Sequence, residues 1–233
     1  RPQAGDIRVN GESLTLASPS QARKQGIEAV YQDLALVPLM SIARNFFLGR
    51  ELTRSVGPVR LLDEEEMDRQ ASRALVQIGI HVRDTSEPVE GLSGGERQSI
   101  AIGRAVHFGS KVLILDEPTI GLHPRDNERL LETLGDLRDK GNSVYVIEHD
   151  DATIEAADYV IDMGPGPGRH GGEIVAQGPL AEIISNKTSE TARYFRDRDQ
   201  RVFDFAVDPL DDSSFLEIRG ATLHNLKDID VKI

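Results

Sequence analysis

Two acidic side chains directly follow an aliphatic run, and they are the first residues in this sequence whose placement suggests chemistry. Residues 112–115 are typical of a strand buried on both faces of a sheet, and Asp116 and Glu117 come next. Open α/β sheets bind ligands outside the carboxyl ends of their strands. A carboxylate at that edge can hold a hydrated Mg²⁺ ion, while its neighbour can orient or deprotonate a water molecule. The alternative is an acidic pair that only starts a loop.

A histidine and a capped helix start extend this pattern. His149 follows the predicted strand over residues 144–148, so we expect it to emerge at the same edge as Glu117. An imidazole there can donate a hydrogen bond to a phosphate oxygen or position a nucleophile, although a lone histidine is more often a loop residue. Ser93 is predicted to cap a helix over residues 96–106, where free N–H groups favour an anion. The alternative for Ser93 is an ordinary capped helix.

The elements that must position these residues follow an α/β order. Strands predicted at 27–31, 112–115, 144–147 and 159–163, with helices between them, imply right-handed crossovers and a parallel sheet. The strand at 144–147 is expected to be buried. Residues 33–91 are predicted to be helical. Within them, Asp63 caps a helix whose apolar face consists of Met67, Ala71, Ala74, Leu75 and Ile78.

Composition excludes several classes of protein. The 233 residues carry 27 Lys+Arg against 39 Asp+Glu, a formal charge of −12, which argues against broad binding to a phosphate backbone. The absence of cysteine excludes disulfides and thiolate metal sites such as zinc fingers. No stretch approaches the ~20 apolar residues that a membrane-spanning helix needs. We therefore expect a cytoplasmic domain, with a peripheral position at the inner face of the membrane as a further option.

Taken together, these motifs resemble those of ATP-binding cassette (ABC) ATPases. LSGGERQ (92–98), VLILDEPT (112–119) and VIEHD (146–150) are similar to the family's signature, Walker B and switch-histidine motifs, and VYQD (30–33) to its Q-loop. Residues 1–119 resemble the ATPase of a simple-sugar importer, and residues 120–233 resemble the UvrA family of bacterial nucleotide excision repair. A natural intermediate, a recombined gene and a designed chimera all fit that division.

The resemblance implies a fold and a set of roles. The fold would be a RecA-like parallel-sheet core with a helical subdomain. ATP and Mg²⁺ would be the cofactors: Asp116 would support Mg²⁺, and Gln32 would sense Mg²⁺ and the attacking water. Glu117 would be the catalytic base and His149 would contact the γ-phosphate. A second cassette, paired head to tail, would receive the nucleotide-binding residues Ser93, Gly94 and Gly95.

One family motif does not occur in the sequence. The phosphate-binding loop G-x-x-x-x-G-K-[ST] is absent, so the resemblance implies a cassette incomplete at its phosphate-loop end. We expect a portion of a longer ATPase, or a rearranged derivative, that is inactive in isolation. The expected organisation is ATPase core over 1–32, helical subdomain over 33–91, signature helix and core over 92–185, linker over 186–214, and the opening strands of a cassette over 215–233.

Three functions follow as expectations. The first is an ABC-type domain that couples ATP hydrolysis to a partner such as a membrane permease or repair-complex subunits. The second is a UvrA-like repair ATPase portion that binds DNA, which the negative charge opposes. The third is a non-catalytic cassette that supplies its signature motif in trans. Phe46 and Phe47 are candidates both for a permease contact and for core packing.

Overall fold

The protein is described by a computed structural model over residues 5–78, 80, 84–166, 168–198, 217–222 and 227–232. The chain divides into two compact units, Arg1–Val160 and Ile161–Ile233. Helices and strands alternate along most of the chain, as an α/β fold requires.

The first unit opens with a hairpin and a short helix. Strands β1 (Ile7–Val9) and β2 (Glu12–Leu14) are joined by Asn10 and Gly11, both at positive φ (53° and 84°). Helix α1 (Pro19–Lys24) begins after Ser18, whose hydroxyl accepts a hydrogen bond from the N–H of Gln21 at 3.3 Å. The chain then enters β3 (Ile27–Val30).

The region predicted to be helical contains a β-hairpin as well. Its elements are α2 (Ile42–Phe46), β4 (Thr53–Val56), β5 (Val59–Leu62), α3 (Glu64–Gln77) and α4 (Gly94–His107), with a 3₁₀ turn at Val89–Gly91. The purely helical prediction was wrong for β4 and β5, because Gly57 (φ 61°) and Pro58 form a turn between two short runs that pair antiparallel.

Helix α3 confirms the predicted cap and apolar face. The Asp63 carboxylate accepts a hydrogen bond from the N–H of Glu66 at 3.2 Å. Three glutamates in the first turn lie where the helix dipole favours negative charge. The buried residues of the helix, each no more than 6% exposed, are Met67, Ala71, Ala74 and Leu75.

The rest of the first unit builds the parallel sheet. Strand β6 (Val112–Asp116), helix α5 (Pro124–Asp139), strand β7 (Ser143–Ile147) and helix α6 (Asp151–Ala156) follow in order. The sheet order is β3-β6-β7, with both pairs parallel. Leu113 and Leu115 of the central strand are fully buried.

Strand β7 is less buried than its aliphatic sequence predicts. Tyr145 and Ile147 are 56% and 57% exposed, so one face of this edge strand is open to solvent. Val144 and Val146, on its other face, pack against the core. The prediction of a buried strand therefore holds for one face only.

The core of the first unit joins the helices to the central strand. Phe46 and Phe47 are 0% and 1% exposed, and they pack with Met67, Leu75 and Ile100 in one cluster. Full burial of each such side chain contributes roughly 1.5–3 kcal/mol. Of the two roles expected for Phe46 and Phe47, the structure shows core packing.

The second unit consists of two pairs of strands and short helices. Its elements are β8 (Val160–Gly164, which starts at the last residue of the first unit), β9 (Glu173–Gly178), α7 (Leu180–Ser185), α8 (Glu190–Asp197), β10 (Glu217–Ala221) and β11 (Ile229–Lys232). Strand β8, expected in the parallel sheet, pairs instead with β9, and β10 pairs antiparallel with β11. Most of the predicted linker, from residue 199 onward, lies outside the described residues, as do residues 215, 216, 223–226 and 233 of the predicted opening strands.

Candidate functional site

The sheet register brings three strand ends to one edge. Val30 of β3 lies opposite Leu115 of β6, and Asp116 lies opposite Ile147 of β7. Because the three strands are parallel, the residues that follow them emerge at the same carboxyl edge. Gln32, Glu117 and His149 each come within two residues of a strand end.

Glu117 and His149 are neighbours at this edge. The His149 Nδ1 atom lies 3.9 Å from the Glu117 Oε1 atom. The imidazole is 77% exposed and the carboxylate 36% exposed, so both can reach a ligand from solvent. The sequence prediction that the two side chains emerge together is confirmed, while their catalytic roles stay predictions.

The backbone of Glu117 is held in an uncommon conformation. Its φ is 45°, in the left-handed region that a non-glycine residue seldom adopts. Its N–H donates a hydrogen bond to the carbonyl of Ile147 at 3.0 Å, which ties the turn after β6 to the end of β7. Strain of this kind costs on the order of 1 kcal/mol and tends to occur at functional sites. It turns the chain sharply after Asp116.

Asp116 and Gln32 provide oxygen donors at the same edge. Asp116 is half-buried at the end of β6, and Gln32 is exposed two residues beyond β3. Within the described ranges, no group of three or more His, Cys, Asp or Glu side chains is arranged to hold a metal. The donor set still fits Mg²⁺, which commonly takes one or two carboxylates and completes its shell with water and substrate phosphates.

The helix start at Ser93 has the predicted cap. The Ser93 hydroxyl accepts from the N–H of Glu96 at 3.2 Å, and the Glu96 carboxylate accepts from the N–H of Ser93 at 2.8 Å. Neither bond uses the N–H groups of Gly94 and Gly95, and no other described residue accepts from them. Two donors at the positive end of α4 are therefore available to an anion.

The two glycines also let α4 approach the start of α5 closely. A Cβ atom on Gly94 would lie 2.9 Å from the Cδ2 of Leu122, and one on Gly95 would lie 2.9 Å from the Cβ of Asp126. The glycines therefore allow a close approach between residues of the same chain.

Arg104 connects α4 with the segment that follows Gln32. Its guanidinium donates to the carbonyl oxygens of Asn45 and Leu34 at 3.4 and 3.5 Å. Burial lowers the pKa of Arg104, and the nearby Arg23 and Arg50 act in the same direction, while Glu28 opposes them. The side chain stays cationic near neutral pH, so the contact persists.

Glu148 is a residue at this edge whose contacts were not predicted from the sequence. Its Oε1 atom accepts from the N–H and the hydroxyl of Thr119 at 2.8 and 2.5 Å. Its Oε2 atom accepts from the N–H groups of His149 and Asp150 at 3.0 and 3.4 Å. A carboxylate placed directly before the candidate histidine was the available signal, but only the fold shows that it reaches the turn after β6.

Both a family model and curated relatives match this chain. The family model described as "ABC transporter" matches residues 1–120. The chain is 45% identical over 161 residues to the UvrABC system protein A of Vibrio vulnificus, covering 68% of this chain and 17% of that protein. It thus spans about one sixth of the length of the curated relatives it matches. The 161 matched residues outnumber those from 120 to 233, so this similarity begins before residue 120.

Solved structures share the fold. A nucleotide-free ATP-binding cassette from an ABC transporter matches with a TM-score of 0.66 at 21% identity, covering 83% of this chain and 77% of that one. The cbiO1 protein of Clostridium perfringens, part of the ABC transporter complex cbiONQ, matches with a TM-score of 0.62 at 24% identity, covering 87% and 74%. The parallel-sheet α/β fold of the sequence prediction is therefore confirmed as that of RecA-like ABC cassettes. Among the described residues, no helix has the length and apolar character needed to cross a bilayer.

Proposed function

This chain belongs to the ABC transporter family, and on that premise we propose that it is part of an ATP-hydrolysing domain that couples hydrolysis to the work of a partner. The observation that carries the proposal is the 3.9 Å approach of His149 Nδ1 to Glu117 Oε1 at the carboxyl edge of the parallel sheet. A base and a hydrogen-bond donor placed together there suit attack of water on a terminal phosphate.

The proposed reaction assigns one task to each side chain. The Glu117 carboxylate orients the water and takes its proton as the new oxygen–phosphorus bond forms. The bond from the γ-phosphorus to the bridging oxygen breaks, giving ADP and inorganic phosphate. His149 donates a hydrogen bond to a γ-phosphate oxygen, where negative charge must be stabilised. When bound, Mg²⁺ would neutralise phosphate charge, and Asp116 and Gln32 are the residues of this chain that would hold it.

The nucleotide site needs groups from a second polypeptide segment. The sequence contains no G-x-x-x-x-G-K-[ST] loop, which in this kind of site supplies most contacts to the β- and γ-phosphates. We infer that these contacts come from outside the 233 residues. The free N–H groups of Gly94 and Gly95, with the Ser93 hydroxyl, would serve a γ-phosphate on an opposing cassette in a head-to-tail pair.

The second candidate function is a part in excision repair. It is favoured by the 45% identity to the UvrABC system protein A of Vibrio vulnificus, which extends over two thirds of this chain. In that case the partners would be repair-complex subunits rather than a permease, and the domain would act in the cytoplasm.

Substitution of Glu117 tests the proposed hydrolysis. In a form of the chain joined to an ABC phosphate-binding loop, we expect Glu117→Gln to lower the rate of phosphate release by about 10²- to 10⁴-fold while ATP still binds. Glu132→Gln, on the exposed face of α5, is the matched control and should leave turnover unchanged. Equal turnover in Glu117→Gln and the parent would remove Glu117 from the mechanism.

A further inference from the structure

We propose that Glu148 is a positioning residue whose carboxylate joins the turn after β6 to the turn after β7 and thereby sets the separation between Glu117 and His149. Its meaning for hydrolysis rests on the proposed function, but the contact itself belongs to the chain and can be measured without nucleotide.

The Glu148 carboxylate is fully used by two segments. One oxygen takes both donors of Thr119, and the other takes the N–H groups of His149 and Asp150. An ionised carboxylate accepts only, with about four lone-pair sites, so four donors match its capacity. Thr119 is 8% exposed and Glu148 is half-buried, which shields these bonds from competing water.

The two segments carry the candidate catalytic side chains. Thr119 lies two residues after Glu117, and His149 directly follows Glu148. The N–H of Ile120 donates to the carbonyl of Glu117 at 3.2 Å, so the backbone between Glu117 and Thr119 forms a tight turn. A displacement of Thr119 would therefore move Glu117 as well.

A backbone hydrogen bond also links the turn after β6 to the end of β7. The N–H of Glu117 donates to the carbonyl of Ile147, the residue before Glu148. The turn after β6 is thus attached to the end of β7 at two points, by this backbone bond and by the carboxylate. A single bond would act as a hinge, whereas two attachment points fix the orientation of Glu117 relative to His149.

Capping of the next helix does not account for Glu148. The N-terminus of α6 is capped by Asp150, which accepts from the N–H and the hydroxyl of Thr153 at 3.0 and 2.9 Å. The bond from Glu148 on this side goes to the N–H of Asp150, the capping residue itself. Its strongest contacts run across the sheet edge, to Thr119.

Solution NMR of the full chain tests the contact directly. We expect an NOE between the His149 ring protons and the Glu117 side-chain methylenes, and slow exchange of the amide protons of Thr119, His149 and Asp150. Glu148→Ala should abolish the NOE and speed exchange at these amides by about tenfold or more, because charge-assisted bonds are lost. Glu132→Gln should change neither signal.

If Glu148→Ala does not fold, two milder variants test the same contact between Glu148 and Thr119. Glu148→Gln keeps the shape but has only one accepting oxygen, so it can serve Thr119 or the His149 and Asp150 amides, and the NOE should weaken. Thr119→Val removes the hydroxyl bond and keeps the backbone bond, so a smaller effect is expected. An unchanged NOE with unchanged exchange in these variants would overturn the proposal.

Turnover separates this proposal from the proposed function. In the form joined to a phosphate-binding loop, Glu148→Gln should lower kcat about tenfold and leave KM for ATP unchanged, since the Glu148 carboxylate is taken up by four protein donors. If Glu117→Gln leaves turnover unaffected, the proposed function fails and the NMR result still decides the positioning role. If Glu117→Gln abolishes turnover but the Glu148 variants alter neither NOE nor kcat, the positioning role alone fails.

Discussion

At the scale of single residues, the hydrogen bonds of one buried amide fix the segment that follows Gln32. Asn45 is 0% exposed, and its amide pairs with both backbone groups of Val37, at 2.7 Å for the N–H and 3.0 Å for the carbonyl. It also donates to the carbonyl of Met40 at 3.0 Å. One side chain therefore holds the chain between Gln32 and α2.

Removal of this amide should be costly. We expect Asn45→Ala to lower the free energy of unfolding by about 2 to 4 kcal/mol, because the buried amide is removed and several backbone groups lose their partner at once. Asn142→Ala is the matched control: its amide donates only to the carbonyl of Leu137, at 2.7 Å, so the loss should be about 1 kcal/mol. Urea denaturation measures both values, and equal losses would contradict the assignment.

His107 makes stability depend on pH. Its ring lies 5.2 Å from the ring of Phe46, 5.7 Å from that of Phe47 and 5.0 Å from that of Phe108, between centroids. Burial against these rings lowers the pKa of His107 below its ordinary 6.5. Below about pH 6.5 the unfolded chain binds a proton at His107 more readily than the folded chain does. The contribution of His107 to the free energy of unfolding is therefore full above about pH 6.5 and is lost as the pH falls.

Thermal unfolding at pH 7.5 and 5.5 checks this sign. We expect the melting temperature of the parent chain to fall further on acidification than that of His107→Gln, which has no ring to protonate. The difference should be small, because His107 is an exposed residue whose ring is only partly desolvated. An identical acid shift in both proteins would exclude His107 as a source of pH dependence.

At the scale of elements, short sequence patterns predicted the helix caps, helix face and strand that depend on neighbouring residues. The Asp63 and Ser93 caps, the apolar face of α3 and the aliphatic run of β6 all have short-range causes and were predicted correctly. The exposed face of β7 and the pairing of β8 with β9 depend on which elements lie beside those strands. Hydrophobic patterning does not encode that choice, and the reach of Glu148 to Thr119 across 29 residues was missed for the same reason.

The close approach of α4 and α5 gives an element-scale prediction. Alanine at position 95 would place its Cβ 2.9 Å from the Asp126 Cβ and 3.1 Å from its Cγ, so a helix must shift. We expect Gly95→Ala to destabilise the protein by about 1 to 3 kcal/mol. In Gly135→Ala, within α5, the new Cβ meets nothing within 4 Å, and this control should gain up to about 1 kcal/mol of helix propensity. Chemical denaturation compares the two, and a gain in both would show that α4 and α5 separate without cost.

At the scale of the whole molecule, the net charge indicates which ligands the isolated chain can bind. Its formal charge is −12, whereas binding to a phosphate backbone needs clustered positive charge. The family and fold are clear from four short motifs, because each is a local run of residues. On the proposed function, the completed nucleotide site and its partners depend on other polypeptide segments, which this sequence does not encode.

DNA binding is therefore expected to be absent in the isolated chain. Fluorescence anisotropy with a labelled duplex at about 50 mM salt should show no saturable change up to about 100 µM protein, a range that covers ordinary non-specific binding. A labelled single strand should give the same result. Saturable binding that weakens steeply between about 50 and 200 mM salt would contradict this expectation and place DNA contacts within these 233 residues. That outcome would favour the repair function over transport, because coupling to a permease requires no contact with a phosphate backbone.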